Sequence, residues 1–356
     1  MEYRSFADMG RTVTMNLYKI PNDIDLIVGI PRSGLLAGNL IALSLNIPII
    51  DLDGFIENRK PRHGFTRKTK TSITTPREAK NVMVVDDTIL SGRSMNHVRE
   101  IIHRASIDQQ ITYCTVYADP RSREKVDIYL EELTSPRSFE WNIMHNSLLE
   151  ECCIDIDGVL CKDPTKKEND DGSAYRKFLL NAKPLTLPSR KIGYLVTSRL
   201  EKYRKETEAW LSKHNIFYKR LHMLDLPDSK TRRRLSSHAG HKARIFRSYP
   251  DSPLFIESER GQAIEISRLT GRVVLCFSDQ KLYTPVFSAG LVEQKIKSYP
   301  ARAVSKAKRI AWHLIDSSGL NRGSKPAGNT PQPSGPMKKE NTAREIENGF
   351  VISQQD

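Results

Sequence analysis

Two adjacent aspartates, Asp86 and Asp87, follow the apolar run 82–85. A short polar turn comes next and leads into a stretch with helical spacing. The residues of this turn that could bind a ligand are Thr88, Ser91, Gly92, Arg93 and Ser94. The first N–H groups of a helix, its dipole and nearby hydroxyls form a site for a phosphate dianion. Carboxylates beside such a site suit a sugar phosphate, because they can accept hydrogen bonds from vicinal ribose hydroxyls.

A second pair of aspartates, Asp155 and Asp157, stands at the end of the apolar run 152–154. Strand periodicity points residues two apart to the same side. Gly158 permits a turn after the strand, so that both carboxylates can converge on a metal ion and a phosphate. The pattern therefore predicts a second site that binds phosphate and metal.

The elements that position these acids form two successive α/β patterns. The strands predicted for the first pattern are 25–29, 47–50, 81–85 and 111–117, with helices near 35–45 and 93–104. The elements predicted for the second are strands 152–154, 192–196, 252–256 and 273–277, a helix at 201–214 and a helix from Gln262. Continuous apolar runs are typical of buried parallel strands. The predicted fold class is α/β, with two doubly wound parallel-sheet domains in tandem.

Length and composition agree with two domains and a tail. The chain has 356 residues, of which 38% are hydrophobic, and this length favours two cores. The predicted divisions are residues 1–149, 150–299, a basic amphipathic helix at 300–317 and a disordered tail at 318–356. Five cysteines without zinc-site spacing and an N-terminus without an apolar signal core favour a cytoplasmic protein.

The segment 82–94 resembles the signature of type I phosphoribosyltransferases: aliphatic residues, two acids, then a small Ser/Thr-Gly-x-Ser/Thr loop. Arg93 departs from it, because the family has a small residue there. The turn after the first strand, with Arg32, Ser33 and Gly34, stands where the family has its diphosphate-binding loop. The basic segment 58–70 stands where the family has a mobile flap, although a solvated basic loop is the alternative.

This first resemblance implies phosphoribosyl diphosphate as the donor and displacement at ribose C1 with inversion. Asp86 and Asp87 would hold the ribose. Mg²⁺, Arg32 and the basic segment 58–70 would neutralise the departing diphosphate. The product would be a β-ribofuranoside that still carries its 5-phosphate.

The sequence around Asp155 and Asp157 resembles the first motif of the haloacid-dehalogenase superfamily, Asp-x-Asp-Gly-Val/Thr-Leu after an apolar strand. This resemblance implies that Asp155 attacks phosphorus, while Asp157 protonates the leaving oxygen and then activates water. Thr197, in a segment similar to the second motif, would contact the phosphoryl group. The domain would thus be a phosphatase.

The same resemblance calls for a charge-neutralising lysine and an acidic Mg²⁺ site further along the chain. Lys242 is the candidate lysine, with Lys230 as the alternative. Glu257 is the candidate acid because it directly follows a strand, with Glu259 as the alternative. The predicted Mg²⁺ ligands are Asp155, Asp157 and Glu257.

A transferase that leaves a 5-phosphate and a phosphatase that removes it would together add a plain ribofuranosyl group. Such pairs resemble bacterial enzymes that put ribofuranose into surface glycans, which implies a glycan acceptor on an undecaprenyl-diphosphate carrier. The basic helix at 301–316 fits contact with an anionic membrane surface, or packing on the phosphatase domain.

Two other functions remain open from the sequence. One is a nucleobase phosphoribosyltransferase joined to a nucleotidase. The other is a regulator that senses phosphoribosyl diphosphate and uses the net charge of +14 to bind nucleic acid. The sequence has no helix-turn-helix and no aromatic RNA-binding platform, so no nucleic-acid partner is expected.

Overall fold

A computed structural model describes residues 1–61, 68–235 and 238–285, apart from the side chain of Arg233. The central part of the predicted flap at 58–70 (residues 62–67), the basic helix at 301–316 and the tail at 318–356 lie outside the described residues. Among the described helices, none is both long and apolar enough to cross a lipid bilayer.

The N-terminal half is built on a five-stranded parallel sheet. Its strands and the small pair beside it are β1 (Glu2–Arg4), β2 (Leu26–Gly29), β3 (Ile49–Asp51), β4 (Asn81–Ile89), β5 (Gln110–Ala118), β6 (Ile128–Glu132) and β7 (Arg137–Phe139). The helices are α1 (Phe6–Met15), α2 (Ser33–Leu45), α3 (Leu52–Ile56) and α4 (Arg93–Arg104). The sheet order is β3-β2-β4-β5-β6, and every pairing is parallel.

Burial explains why the central strands form. The residues of β4 from Val82 to Val85 are fully buried, and they alternate between two core clusters on opposite faces of the sheet. Helix α2 packs on one face and α4 on the other. A strand covered on both faces needs a continuous apolar run, which is why this part of the sequence was predictable.

The C-terminal half contains a six-stranded sheet. Its strands are β8 (Cys153–Ile154), β9 (Ile192–Leu200), β10 (Tyr218–Leu224), β11 (Phe255–Glu257), β12 (Val274–Cys276) and β13 (Lys281–Tyr283). Its helices are α5 (Ser173–Asn181), α6 (Arg204–Lys213), α7 (Ser229–Leu235), α8 (His238–Arg247) and α9 (Arg260–Thr270). The order is β10-β9-β8-β11-β12-β13, and β13 pairs antiparallel to β12, so the prediction of a purely parallel sheet was wrong at this edge.

The segment between the halves packs with the second one. Ile143, Met144 and Leu149 are buried in the same cluster as β8 and β9, although they precede the predicted division at residue 150. Tyr3, on β1, joins that cluster, and its hydroxyl donates to the side chain of Gln280. The first strand of the chain therefore contributes to the core of the second half.

Candidate active sites

The first candidate site lies at the carboxyl ends of β2 and β4. These two strands are neighbours, but the chain leaves β2 for β3 on one side and β4 for β5 on the other. In open α/β sheets a crevice forms where the order reverses in this way, and ligands bind there. The turn with Arg32, Ser33 and Gly34 and the turn at 90–92 both border this point.

Asp87 connects β4 to the start of α2 and to Trp141. Its carboxylate is almost fully buried and accepts hydrogen bonds from Ser33 Oγ at 2.8 Å and from Trp141 Nε1 at 2.8 Å. Trp141 stacks on Phe139 with ring centroids 4.6 Å apart, and this packing fixes the indole. The Trp141 contact was not predicted, because Trp141 lies 54 residues beyond Asp87 in the chain.

Asp86 holds its proton to an unusually high pH. Burial, followed by the negative charge of Asp87, raises the pKa of Asp86 to about 8. A group in this state gains from a cation or from hydroxyl donors, which would favour its ionised form. Carboxylate oxygens are the ligands that Mg²⁺ prefers, so the acid pair fits both a ribose and Mg²⁺.

The turn after Asp86 and Asp87 has a backbone conformation that lets a ligand come close to its main chain. Gly92 has a φ of 80°, a left-handed conformation that favours glycine, and it precedes the first residue of α4, Arg93. Lys125 reaches over this turn, and its Nζ donates to the carbonyl of Ser91 at 2.8 Å. Thr88 Oγ1 is buried without a partner among the described residues.

The diphosphate turn packs tightly against β4. A β-carbon on Gly34 would lie 2.6 Å from the carbonyl oxygen of Val85, so only glycine fits without a shift of backbone. The peptide bond between Pro31 and Arg32 is cis, and Arg32 is exposed just before α2. Together with Ser33 at the start of α2, these residues form the other wall of the crevice.

A buried cluster around Lys242 forms the second candidate site. Lys242 Nζ lies 2.6 Å from Asp155 Oδ2, 2.7 Å from Glu257 Oε2 and 3.0 Å from Gln262 Oε1. Burial and then the charge of Glu257 raise the pKa of Asp155, to about 8, although the ammonium of Lys242 acts against this. Burial lowers the pKa of Lys242, but the two carboxylates outweigh it and raise the pKa overall, so one charged lysine is shared by two acids.

The structure also distinguishes between the two candidate lysines and the two candidate glutamates that the sequence left open. Lys242 is fully buried in this cluster, whereas Lys230 is exposed on α7. Glu257 ends β11 inside the cluster, whereas Glu259 accepts from the backbone N–H groups of Gly261 and Gln262 and caps α9. The structure thus brings Lys242 and Glu257 to Asp155.

Asp157 is held by an arginine that sequence reasoning left without a role. Arg199 Nε donates to Asp157 Oδ2 at 3.0 Å, and Arg199 Nη2 donates to Oδ1 at 2.7 Å. Although burial would raise the pKa of Asp157, the Arg199 guanidinium outweighs it and lowers that pKa. Asp157 is therefore ionised as it stands, which suits a proton acceptor better than the proton donor that the resemblance implied.

Asp155 and Asp157 open onto a cavity of about 620 Å³. Thr197, fully buried within β9, lines it, and its contact with a phosphoryl group stays a prediction. Side chains from α7 and α8 that were not predicted, Arg232 and His238, also line it. Nothing in the local sequence marks these two, because their place depends on how the helices pack over the sheet.

The three predicted metal ligands are not arranged as a metal site. Within the described ranges, no group of three acidic, histidine or cysteine side chains could hold a metal ion. Asp155 and Glu257 share Lys242, and both oxygens of Asp157 are bonded to Arg199. The side-chain set of Asp155, Asp157 and Glu257 does not fit Mg²⁺ in this arrangement, because two cations already occupy it.

The first half is thus an α/β domain with an acid pair at its switch point, where ligands bind in such folds. Residues 6–150 match the phosphoribosyl transferase domain family. A xanthine-guanine phosphoribosyltransferase of Idiomarina loihiensis is 25% identical over 126 residues, which cover 35% of this chain and 74% of that protein. One of Chromohalobacter salexigens is 29% identical over 126 residues, which cover 35% and 72%.

A solved structure is also similar to part of this chain. The xanthine-guanine-hypoxanthine phosphoribosyltransferase of Helicobacter pylori aligns over 40% of this chain and 93% of its own, with 13% identity and a TM-score of 0.31. The family match supports a phosphoribosyltransferase domain over residues 6–150, as the resemblance of segment 82–94 implied.

Proposed function

We propose that the chain transfers a phosphoribosyl group from phosphoribosyl diphosphate and then removes the 5-phosphate from its product. The observation that carries the second step is the contact of Lys242 with both Asp155 and Glu257 beside a cavity, on the same chain as a phosphoribosyltransferase domain. Two activities on one chain raise the local concentration of the intermediate.

In the first step, a nucleophilic atom of the acceptor bonds to ribose C1 as the bond from C1 to the diphosphate oxygen breaks. The diphosphate leaves with the electron pair, and the acceptor gives up its proton. Asp86 and Asp87 hold the ribose hydroxyls, and the turn from Ser91 to Ser94 binds the 5-phosphate. Arg32 and Ser33 meet the diphosphate. Mg²⁺ bound with the donor would neutralise charge on the departing diphosphate.

In the second step, an oxygen of Asp155 bonds to phosphorus as the bond from phosphorus to the sugar 5-oxygen breaks, and a proton from Asp157 lets that oxygen leave as an alcohol. Water then attacks the aspartyl phosphate, so that Asp155 is released with inorganic phosphate. Asp157, ionised beside Arg199, accepts the proton of that water. For Asp157 to protonate the sugar oxygen first, it must pick up a proton, which requires the contact with Arg199 to loosen.

For the acceptor we favour a hydroxyl of a glycan on an undecaprenyl-diphosphate carrier. Removal of the 5-phosphate is useful when a plain ribofuranosyl group is wanted, whereas it wastes a newly made nucleotide. This proposal places the enzyme in the cytoplasm, at the inner membrane surface, with residues 301–316 as the contact. A nucleobase is the second candidate, and the names of the similar xanthine-guanine phosphoribosyltransferases favour it.

Diphosphate release with a panel of acceptors tests the transferase step. The purified chain is given phosphoribosyl diphosphate, Mg²⁺ and either lipid-linked glycan or each common nucleobase. Release with the glycan, lost in Asp87→Asn and kept in Asp155→Asn, supports the proposal. Release with a purine base alone selects the second candidate. Donor binding without release under any condition would instead support a regulator that senses the donor.

A further inference from the structure

Arg232 is a buried arginine in the second site with an unused donor. It lies on α7, is 8% exposed, and lines the cavity that contains Asp155. Its Nη1 donates to the carbonyl of Ser198 at 2.9 Å, which fixes the guanidinium. Its Nε is buried and has no hydrogen-bond partner in the described part of the chain. A buried charged donor without a partner is costly, so such a group points to a ligand.

Ser198 supplies a second unused group next to the first. Its hydroxyl is buried without a partner among the described residues, and Ser198 lines the same cavity. Ser198 follows Thr197, the residue that the sequence predicts to contact the phosphoryl group, and its carbonyl is the one that anchors Arg232. Arg232, Ser198 and Thr197 therefore all line this cavity, and the first two are in direct contact.

The surroundings of Arg232 leave its charge available. Its neighbours include Tyr175, which is hydrogen-bonded to Arg232 and whose pKa is raised by burial, and His238, whose pKa is lowered by burial and by the charge of Arg232. Both side chains are therefore neutral near pH 7. Arg199 differs, because both oxygens of Asp157 already occupy its donors.

We propose that Arg232 and Ser198 bind the non-bridging oxygens of the phosphomonoester that Asp155 attacks. This inference rests on the proposed hydrolase activity. Arg232 Nε and Ser198 Oγ donate to the phosphoryl oxygens, and the positive charge of Arg232 supplements Lys242, which is engaged by two acids. The ligand class is a phosphate monoester dianion or inorganic phosphate, which share these oxygens.

The test uses the full chain and two readouts, hydrolysis of ribose 5-phosphate and calorimetric binding of inorganic phosphate. The variants are Arg232→Gln, Arg232→Lys and Ser198→Ala, with Arg234→Gln as the matched control, since Arg234 is exposed on the same helix. Ser198→Ala removes a hydroxyl that has no partner in the described ranges, so it should fold normally. Melting temperatures of all variants identify any loss of folding.

We expect Arg232→Gln to lower kcat/KM and to weaken phosphate binding by about 10- to 100-fold, the effect of a lost charged hydrogen bond. Ser198→Ala should cost about 3- to 10-fold, Arg232→Lys should recover part of the loss, and Arg234→Gln should match the wild type. Wild-type hydrolysis and binding in both Arg232→Gln and Ser198→Ala would overturn the inference. If the protein binds phosphate through Arg232 but hydrolyses nothing, the proposed hydrolase activity is wrong, while the phosphate site at Arg232 and Ser198 stands.

Discussion

Replacing Lys242 with methionine tests the central contact of the second site. The ammonium lies within 2.7 Å of both Asp155 and Glu257, and all three side chains are buried. Lys242→Met keeps most of the side-chain volume and removes the charge. Two buried carboxylates are then left without the cation that they share. Removing one partner of a buried ion pair costs about 3–5 kcal/mol, which corresponds to a loss of about 10 °C in Tm for a domain of this size.

The loss of stability in Lys242→Met should depend on pH in a defined direction. Without Lys242, the pKa of Asp155, which burial already raises above its unfolded value, rises further. Acids of this kind bind protons more tightly in the folded state, so stability falls as pH increases toward the folded pKa. The difference from wild type should therefore be larger at pH 8 than at pH 5. Hydrolysis should fall by about 100-fold or more, because the negative charge at phosphorus is no longer balanced.

Thermal unfolding at pH 5 and pH 8, with ribose 5-phosphate hydrolysis beside it, measures both effects. Lys230→Met is the matched control, since Lys230 is exposed on α7 and should change neither quantity. Asp155→Asn combined with Lys242→Met should recover part of the lost stability, because it removes one unpaired charge. A Lys242→Met protein with wild-type stability at pH 8 and wild-type hydrolysis would refute the reasoning.

Three further outcomes follow from other contacts. Gly34→Ala puts a methyl group 2.6 Å from the Val85 carbonyl oxygen, so KM for phosphoribosyl diphosphate in the diphosphate-release assay should rise by about tenfold; an unchanged KM would contradict the packing. Binding of phosphoribosyl diphosphate at pH 7 should release a proton from Asp86, whose pKa is about 8. The heat of binding measured by calorimetry should therefore differ between two buffers of different ionisation enthalpy. Equal heats in the two buffers would contradict this proton release. Arg199→Met removes the cation that keeps Asp157 ionised, so the pKa of Asp157 should rise. The acidic limb of the pH–rate profile of hydrolysis should then move to higher pH by about 1–3 units. A limb that does not move would exclude Asp157 as the proton acceptor.

The sequence predicted the parts of both sites that lie on one strand and the turn after it. Asp86, Asp87, Asp155 and Asp157 were found because each pair follows a continuous apolar run, and strand ends are where α/β folds place ligands. Glu257 was preferred to Glu259 for the same reason. These inferences depend only on local order along the chain.

The site residues that the sequence did not predict come from distant segments of the chain. Trp141, Lys125 and Arg232 reach their sites from elements that the local pattern does not relate to the acids. β10 was also missed, because an edge strand leaves some side chains exposed and so lacks a continuous apolar run. The antiparallel strand β13 was missed because three residues carry too little pattern to predict a strand.

Product masses from the wild type and from Asp155→Asn test the two-step proposal most directly. Each protein is given phosphoribosyl diphosphate, Mg²⁺ and the lipid-linked glycan, beside the nucleobase panel. The account predicts that Asp155→Asn adds a pentose phosphate to its acceptor and that the wild type converts this product to a plain pentose. A wild type that leaves the phosphate in place on every acceptor it modifies would contradict the account.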